Sequence, residues 1–550
     1  MKAFGSSTWL RSPSDREIIQ KWTVGSGQGM TYGVDIPAPA DPNNFEFLAF
    51  GDTGDSNPSS RMQSPQDAVA EQLTSDLALP GSSGVGEFVI HLGDVIYMTG
   101  ERRLYEQNFC RPYAPIICPE STPNDLIFRL PFFPIPGNHD YYDLGAWVQW
   151  LSHIPVFSGA IRRISREVFG FAIPEGGSEK GRAFMESFID SRADTRTGAL
   201  RYQPGIHTRL PNRYYKFSVG SADFFMLDSN TLDAPPPSKV NTIAEREEAN
   251  RRIAALEQEA KVLELKLKEL SRTGNSNQTI EVPQDPAPIV AQSKEPKLAQ
   301  AAAIVADEDS DKDYLSEKAL DVQRELALER RGLNYSAQDY DAQQIEWLRE
   351  AVEESVRERP DSWRIVCLHH PLFTTIGNHC EGRDVRSVRA NLLNMFKENV
   401  HLVLAGHSHA FEWIRSEALP STGLFVSGGG GQISLRRSIL DPKKLFRNRD
   451  RYDALRRSGV SEVAVGGRGP AAEDGERGPV YHYLKIAVSP ESLIVRPVGV
   501  RRLDAGYRRE SVFPAFHAEE LSAKTPPWVP RKLSGVEIKR GVRPVAVWES

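Results

Sequence analysis

Five times in this chain an apolar run of four to six residues stops abruptly in a cluster of Gly, Asp, Asn or His. The runs are EFLAF before GDTGD (Glu46 to Asp55), EFVIHLGD (Glu87 to Asp94), PFFPIPGNHD (Pro131 to Asp140), RIVCLHHP (Arg364 to Pro371) and HLVLAGHSH (His401 to His409). Short, continuously apolar strands bounded by turn residues are what a sheet covered on both faces requires. Helical patterns lie between them at Gln66 to Leu79, Asp341 to Ser355 and Arg386 to Glu398. Strand alternating with helix predicts an α/β sandwich. Further strands are expected in Arg213 to Asn230 and Gly423 to Gly431, and Val480 to Val500 reads as a hairpin turning at Ser489-Pro490.

The 550 residues, 40% of them hydrophobic, suffice for one large core or two medium ones. A net charge of -6 supplies no general attraction for nucleic acid or anionic membrane. The N-terminus lacks the apolar core of a signal peptide and no run is long enough to span a bilayer, so a cytoplasmic protein with no membrane association is expected. Four cysteines, Cys110, Cys118, Cys367 and Cys380, are too few and too spread for a disulfide framework or a thiolate zinc site. Cys110 and Cys118 would pair only in an exported chain.

One segment breaks the alternation. From 232 to 336 the sequence passes through PPP, a charged helix, a Pro/Gln/Ala-rich stretch and a second charged helix. In the first helix Ala249, Ile253, Leu256, Ala260, Leu263, Leu267 and Leu270 recur at heptad spacing, and Leu315, Ala319, Val322 and Leu326 form a comparable stripe in the second. An antiparallel, coiled-coil-like hairpin projecting from the core is expected, packing on itself or, through 242–330, on a second copy or a protein partner. Its linker, Gly274 to Pro296, is expected to be disordered or extended. The remaining divisions are an N-terminal extension (1–44), a catalytic unit (45–231 and 337–505) and a C-terminal tail (506–550).

The strand ends carry Asp52, then Asp94 with Tyr97, Asn138 with His139, His369, and His407 with His409. Ligands of α/β sheets gather where strand carboxyl ends open into loops, so these residues can converge. A Gly-Asp pair alone is usually a turn. Two His at alternate positions, GHSH, point to one side of a strand end and are hard to explain as a turn. Carboxylate, amide, phenol and imidazole donors suit iron, manganese or zinc, and seven donors exceed the needs of one ion. Two ions about 3.5–4 Å apart, sharing a carboxylate, would use them.

The series GDTG, GDVIY, GNHD, VCLH and GHSH resembles the five-block pattern of the calcineurin-like metallophosphoesterases, and within them the purple acid phosphatases, across roughly residues 45 to 231 and 337 to 500. The resemblance implies a four-layer α/β/β/α sandwich interrupted here by the helical insertion. It implies one metal held by Asp52, Tyr97 and His409, another by Asn138, His369 and His407, and Asp94 bridging. The metals would be Fe(III) with Fe(II), Zn(II) or Mn(II). His139 and His379 become candidates to bind phosphate or protonate the leaving oxygen, while His370, before Pro371, is left out as a ligand. The expected function is an acid phosphatase-like hydrolysis of small phosphate monoesters by a metal-bound hydroxide. A phosphodiesterase or nucleotide hydrolase would use the same ligands, differing in loops such as Phe157 to Asn212. A reading of another class is a scaffold acting through the coiled-coil arm.

Overall fold

The computed structural model describes residues 10–11, 13–23, 32–54, 64–97, 99–144, 180–190, 199–236, 242–272, 312–432, 435–441, 445, 448–467, 479–503, 506–510, 512–521 and 528–549. The expected linker Gly274 to Pro296 lies outside them, as does much of Phe157 to Asn212. The longer strands belong to one large mixed sheet. In its first half β1 (Phe45–Phe50), β2 (Gly86–His91) and β3 (Phe132–Pro134) run parallel. In the second, β4 (Tyr215–Val219) lies antiparallel to β5 (Ala222–Met226), followed in parallel by β6 (Trp363–Leu368) and β7 (Leu402–Ala405). There β8 (Phe411–Ser416) pairs between β9 (Gly423–Ser427), itself parallel to β7, and β10 (Val460–Gly466). The hairpin of β11 (Val480–Val488) and β12 (Leu493–Leu503) lies antiparallel to β1, so it extends the first half.

The 506–550 segment, expected as a tail, supplies strands that join the halves. Of these, β13 (Phe513–Ala518) pairs with β10, and β14 (Val529–Ile538) pairs with both β13 and β12. Their buried residues are scattered, such as Phe513 and Ala515 on one strand and Leu533, Val536 and Ile538 on the other, with partly exposed residues between them. Pro514 and Gly535 interrupt any continuous apolar run, which is why these strands are silent in the sequence.

Six helices matter to the site: α1 (Asp15–Trp22), α2 (Pro65–Ser75), α3 (Ile243–Arg272), α4 (Lys312–Gly332), α5 (Ala342–Glu358) and α6 (Arg383–Phe396). The pleat explains the continuous apolar runs. On β1, Phe47 and Ala49 enter a core shared with Ile365 and Cys367 of β6 and with Leu404 of β7. Leu48 and Phe50 face the other way, onto Val69 and Leu73 of α2. On β6, Val366 and Leu368 turn outward onto Leu348 of α5 and Leu392 of α6. Each half therefore buries both faces, and a polar residue mid-strand such as Glu412 is accommodated only with hydrogen-bond partners, here Thr374 and Thr375.

The expected N-terminal extension contains α1, which opens with a capping box, Ser14 accepting from Glu17 N–H at 3.2 Å and Glu17 accepting from Ser14 N–H at 3.0 Å. Beneath the insertion the chain is stapled. Arg213, fully buried, donates to Asp228 at 3.0 Å and to Asp341 at 2.5 Å, and Thr231 donates to Asp341 at 2.7 Å. These contacts tie the residues just before 232 to those just after 336. In the insertion itself, Leu256, Val262, Leu263 and Leu267 pack on Val322 and Leu326. Arg252 and Glu257 of α3 pair with Glu329 and Arg330 of α4.

The four cysteines are free thiols, and burial pushes Cys110 up to about 12. Among the described residues no helix is long and apolar enough to cross a membrane.

Candidate metal centre

Each motif sits at the carboxyl end of a parallel strand: Asp52 after β1, Asp94 after β2, Asn138 after β3, His369 after β6, His407 and His409 after β7. Main-chain bonds stitch these ends together. Asp52 N–H donates to Gly93 O at 3.0 Å, Thr53 N–H to Asp94 O at 3.1 Å, and Gly406 N–H to His369 O at 3.0 Å. Two side chains join the network as acceptors: Asp52 Oδ2 from His407 N–H, and Asp94 Oδ1 from His139 N–H, both at 2.8 Å.

Asp52, Asp94 and His407 hold left-handed backbone angles, φ 59°, 55° and 70°. In residues other than glycine each costs roughly 1–3 kcal/mol and persists where the surroundings over-determine it. The motif glycines are steric necessities. A Cβ on Gly137 would lie 2.1 Å from Asp94 Oδ1, and Gly93, at φ +90°, would place one 2.7 Å from His369 Nδ1.

All seven expected ligands meet, in two groups. The Tyr97 hydroxyl lies 2.9 Å from Asp52 Oδ1, 2.7 Å from Asp94 Oδ2 and 3.0 Å from His409 Nε2. Asn138 Oδ1 lies 3.0 Å from both His369 Nε2 and His407 Nδ1. Asp94 Oδ2 reaches the second group as well, 3.3 Å from His369 Nε2. The ring alternation of GHSH thus sends His409 to one group and His407 to the other.

The donor set fits cations. His369 Nδ1 is 2.8 Å from Leu92 O, and a carbonyl only accepts, so that nitrogen carries a proton. Nε2 faces Asn138 Oδ1 and Asp94 Oδ2, where a metal ion would take the place of its proton. His407 Nε2 lies 3.0 Å from Asp384 Oδ2, which favours its proton there and leaves Nδ1 facing the same Asn138 oxygen. Acceptors that converge with full burial need positive charge between them. The electrostatics agree. Burial opposes charge on Asp94, yet His369 and His139 more than offset it and hold its carboxyl well below the usual range. Burial likewise opposes charge on His369, but Asp94 lifts it to about 9.

The two expected catalytic histidines flank the groups. The His139 ring packs on Tyr97 at 4.2 Å and on Tyr142 at 4.8 Å. The His379 ring packs on His407 at 4.2 Å, with its Nδ1 4.0 Å from Glu325 Oε1 of α4. Three further residues belong here. His370, left out as a ligand, lies 4.4 Å from the His407 ring and bonds Ser229 Oγ through Nδ1 at 2.9 Å. Asp140, the last residue of GNHD, accepts from Gly137 N–H at 2.8 Å and Val95 N–H at 3.0 Å, fixing two of the strand ends. Asp384 opens α6 without any sequence signal beyond an acidic first turn, the ordinary helix-terminus choice.

No family model matches the chain, and no curated protein matches it. Among solved structures it is similar to the purple acid phosphatase PPD1 from yellow lupin (Lupinus luteus) seeds, with 13% identity and TM-score 0.39 over 84% of this chain and 52% of that one. The chain therefore spans about half the length of the lupin enzyme. It is similar to PhoD, with 13% identity and TM-score 0.37 over 92% and 75% of the two chains. A third likeness is to GAP50, described as the anchor in the inner membrane complex of Plasmodium, with 10% identity and TM-score 0.33 over 83% and 85%. Scores this low carry no weight for the site, whose reading rests on its own geometry.

Proposed function

We propose that this chain is a dinuclear metal-dependent hydrolase of phosphate esters, acting on small monoesters in the manner of an acid phosphatase. One observation carries the reading: the Asp94 carboxylate reaches both a Tyr97–Asp52–His409 group and an Asn138–His369–His407 group, all buried and all rich in lone pairs. Asp52, Tyr97 and His409 would hold one ion, ferric by resemblance. Asn138, His369 and His407 would hold the other, iron, zinc or manganese in its divalent state, with Asp94 between them. When bound, such a pair supplies positive charge against phosphate oxygens and a water acidified toward roughly pH 7. His139 and His379, placed at the two ends of the ligand set, would grip phosphate oxygens or carry a proton to the leaving oxygen.

The three apolar clusters, one between the sheet halves and one on each outer face, support the four-layer α/β/β/α reading. The α3–α4 packing supports a coiled-coil-like insertion. A phosphodiesterase or nucleotide hydrolase on the same centre is the alternative within the class. The test is turnover of para-nitrophenyl phosphate and its bis ester by purified protein, with metal analysis. Two ions per chain and a preference for the monoester are expected; less than one ion and no turnover overturns the reading. A visible band that survives Tyr97→Phe would overturn the ferric assignment.

A further inference from the structure

The helical insertion does not stand clear of the core. The root of α4 meets α1, α6 and the turn at His379, and the carboxylates at these contacts, Asp15, Glu329 and Glu325, are buried. Glu329, with no exposed surface, accepts from Arg252 of α3 at 2.7 Å and from Arg386 of α6 at 3.1 Å, with Arg383 of α6 at 3.5 Å. Arg331 pairs with Asp233 at 2.7 Å, donates to Pro13 O at 3.0 Å, and lies 3.3 Å from the buried Asp15 carboxyl of α1. Glu325, one turn before Glu329 and on the same helix face, is the carboxylate beside His379. A charged hairpin that only packed on itself would leave these carboxylates in water. Burying one carboxylate beneath three guanidiniums is tolerated only where the geometry is held, because a loose dock would strand a buried charge. The insertion is therefore fixed against the site.

What it closes is visible beside the second ligand group. A small cavity is lined by Asn138 and His370 together with Leu328 and Arg331 of α4 and Pro13 and Ile18. Leu328 is 3% exposed, three residues after Glu325 and one before Glu329. The cavity is only about 10 Å³, so a leaving group directed from Asn138 toward it would meet this helix.

We propose that the α3–α4 hairpin is a fixed wall of the centre that restricts it to phosphate monoesters with compact leaving groups, Leu328 being the wall and Glu329 the pin. This rests on the reading of the centre as a phosphate-ester site. The experiment measures kcat/KM for glycerol 2-phosphate and for adenosine 5′-monophosphate in the metal-loaded full chain and in Leu328→Ala and Leu328→Phe, with metal content and calorimetric binding of inorganic phosphate. The wall predicts that the native chain favours the compact ester. Leu328→Ala should raise the bulky-to-compact ratio at least tenfold and Leu328→Phe should lower it, chiefly through KM. Turnover with a ratio that none of the substitutions moves overturns the wall and leaves the hydrolase reading intact. Absence of both turnover and phosphate binding in a chain holding two ions overturns the hydrolase reading, and the wall with it.

Discussion

The metal centre and the hairpin that covers it are assembled on opposite plans. In the centre, functional atoms are placed by backbone: strand ends, left-handed residues and main-chain bonds between loops fix Asp52, Asp94 and His407 before any side chain chooses a rotamer. At the hairpin root, placement is by side-chain charge, with Glu329 and Arg331 each gathering partners from separate elements. The first plan tolerates a lost side chain in the fold and loses chemistry. The second tolerates a lost side chain in the chemistry and loses stability or selectivity. Substitutions on the two sides should therefore separate metal content from folding.

The largest expected effect is on the chemical side. Asp94 touches both ligand groups, so Asp94→Asn should reduce metal below one ion per chain and cut turnover beyond the roughly 10–100-fold typical of residues one step removed from a metal. His409→Ala, confined to the Tyr97 group, should keep about one ion. An Asp94→Asn chain that retains two ions by elemental analysis would dissolve the two-group description. Next is the structural side. Glu329→Ala removes the buried carboxylate shared by Arg252, Arg383 and Arg386, with Glu245 of α3 still 3.1 Å from Arg383, and should cost about 3–5 kcal/mol in urea unfolding, with metal content per folded chain unchanged. A cost under ~1 kcal/mol would reduce this network to the value of an exposed ion pair and erase the contrast.

The same contrast governs what could be read in the sequence. That the five strand ends would meet was legible, because a both-faces-buried strand is a continuous apolar run and its exit is marked by Gly beside Asp, Asn or His. The hairpin's internal seam was legible as well: Leu256, Leu263 and Leu267 keep the heptad interval and are buried against Val322 and Leu326. Its docking was not, since Glu325 and Glu329 at helical spacing look like any solvated face until tertiary structure brings Arg383 and Arg386 over Glu329 and His379 beside Glu325. Asp384 was hidden for a related reason, being one acid in the first turn of a helix. The joining strands β13 and β14 are broken by Pro514 and Gly535 and so do not announce themselves as continuous apolar runs.

Asp384 is the point where the two plans touch, since α6 carries both this carboxylate beside His407 and the arginines that receive the hairpin. Asp384→Asn should weaken binding of the ion on the Asn138 side by about 10–100-fold and leave the Tyr97 side nearly unaffected, as a carboxylate orienting a metal-binding imidazole does. Competition with a chelator, following each metal separately, reads this; equal weakening of both ions would mean that Asp384 serves the loop rather than His407.

The smallest effect tests whether the hairpin root is charged as drawn. Burial above all lifts the Asp15 carboxyl to about 8 from an ordinary 3.8, with Arg331 opposing the rise and Asp233 adding to it. In the unfolded chain the group titrates near 3.8, so between about pH 4 and pH 8 the folded chain holds a proton that the unfolded chain has released. Unfolding then releases a proton, and the stability due to this group, full below about pH 4, is lost as pH rises through that window. Asp15→Asn is neutral throughout, so its melting temperature should gain on that of the native chain from pH 5 to pH 8. The opposite trend, with the native chain gaining on the variant as pH rises, would mean that Asp15 is ionised and paired with Arg331. The hairpin root would then be held by a second charged clamp like that at Glu329, instead of by one guanidinium balanced chiefly on Asp233.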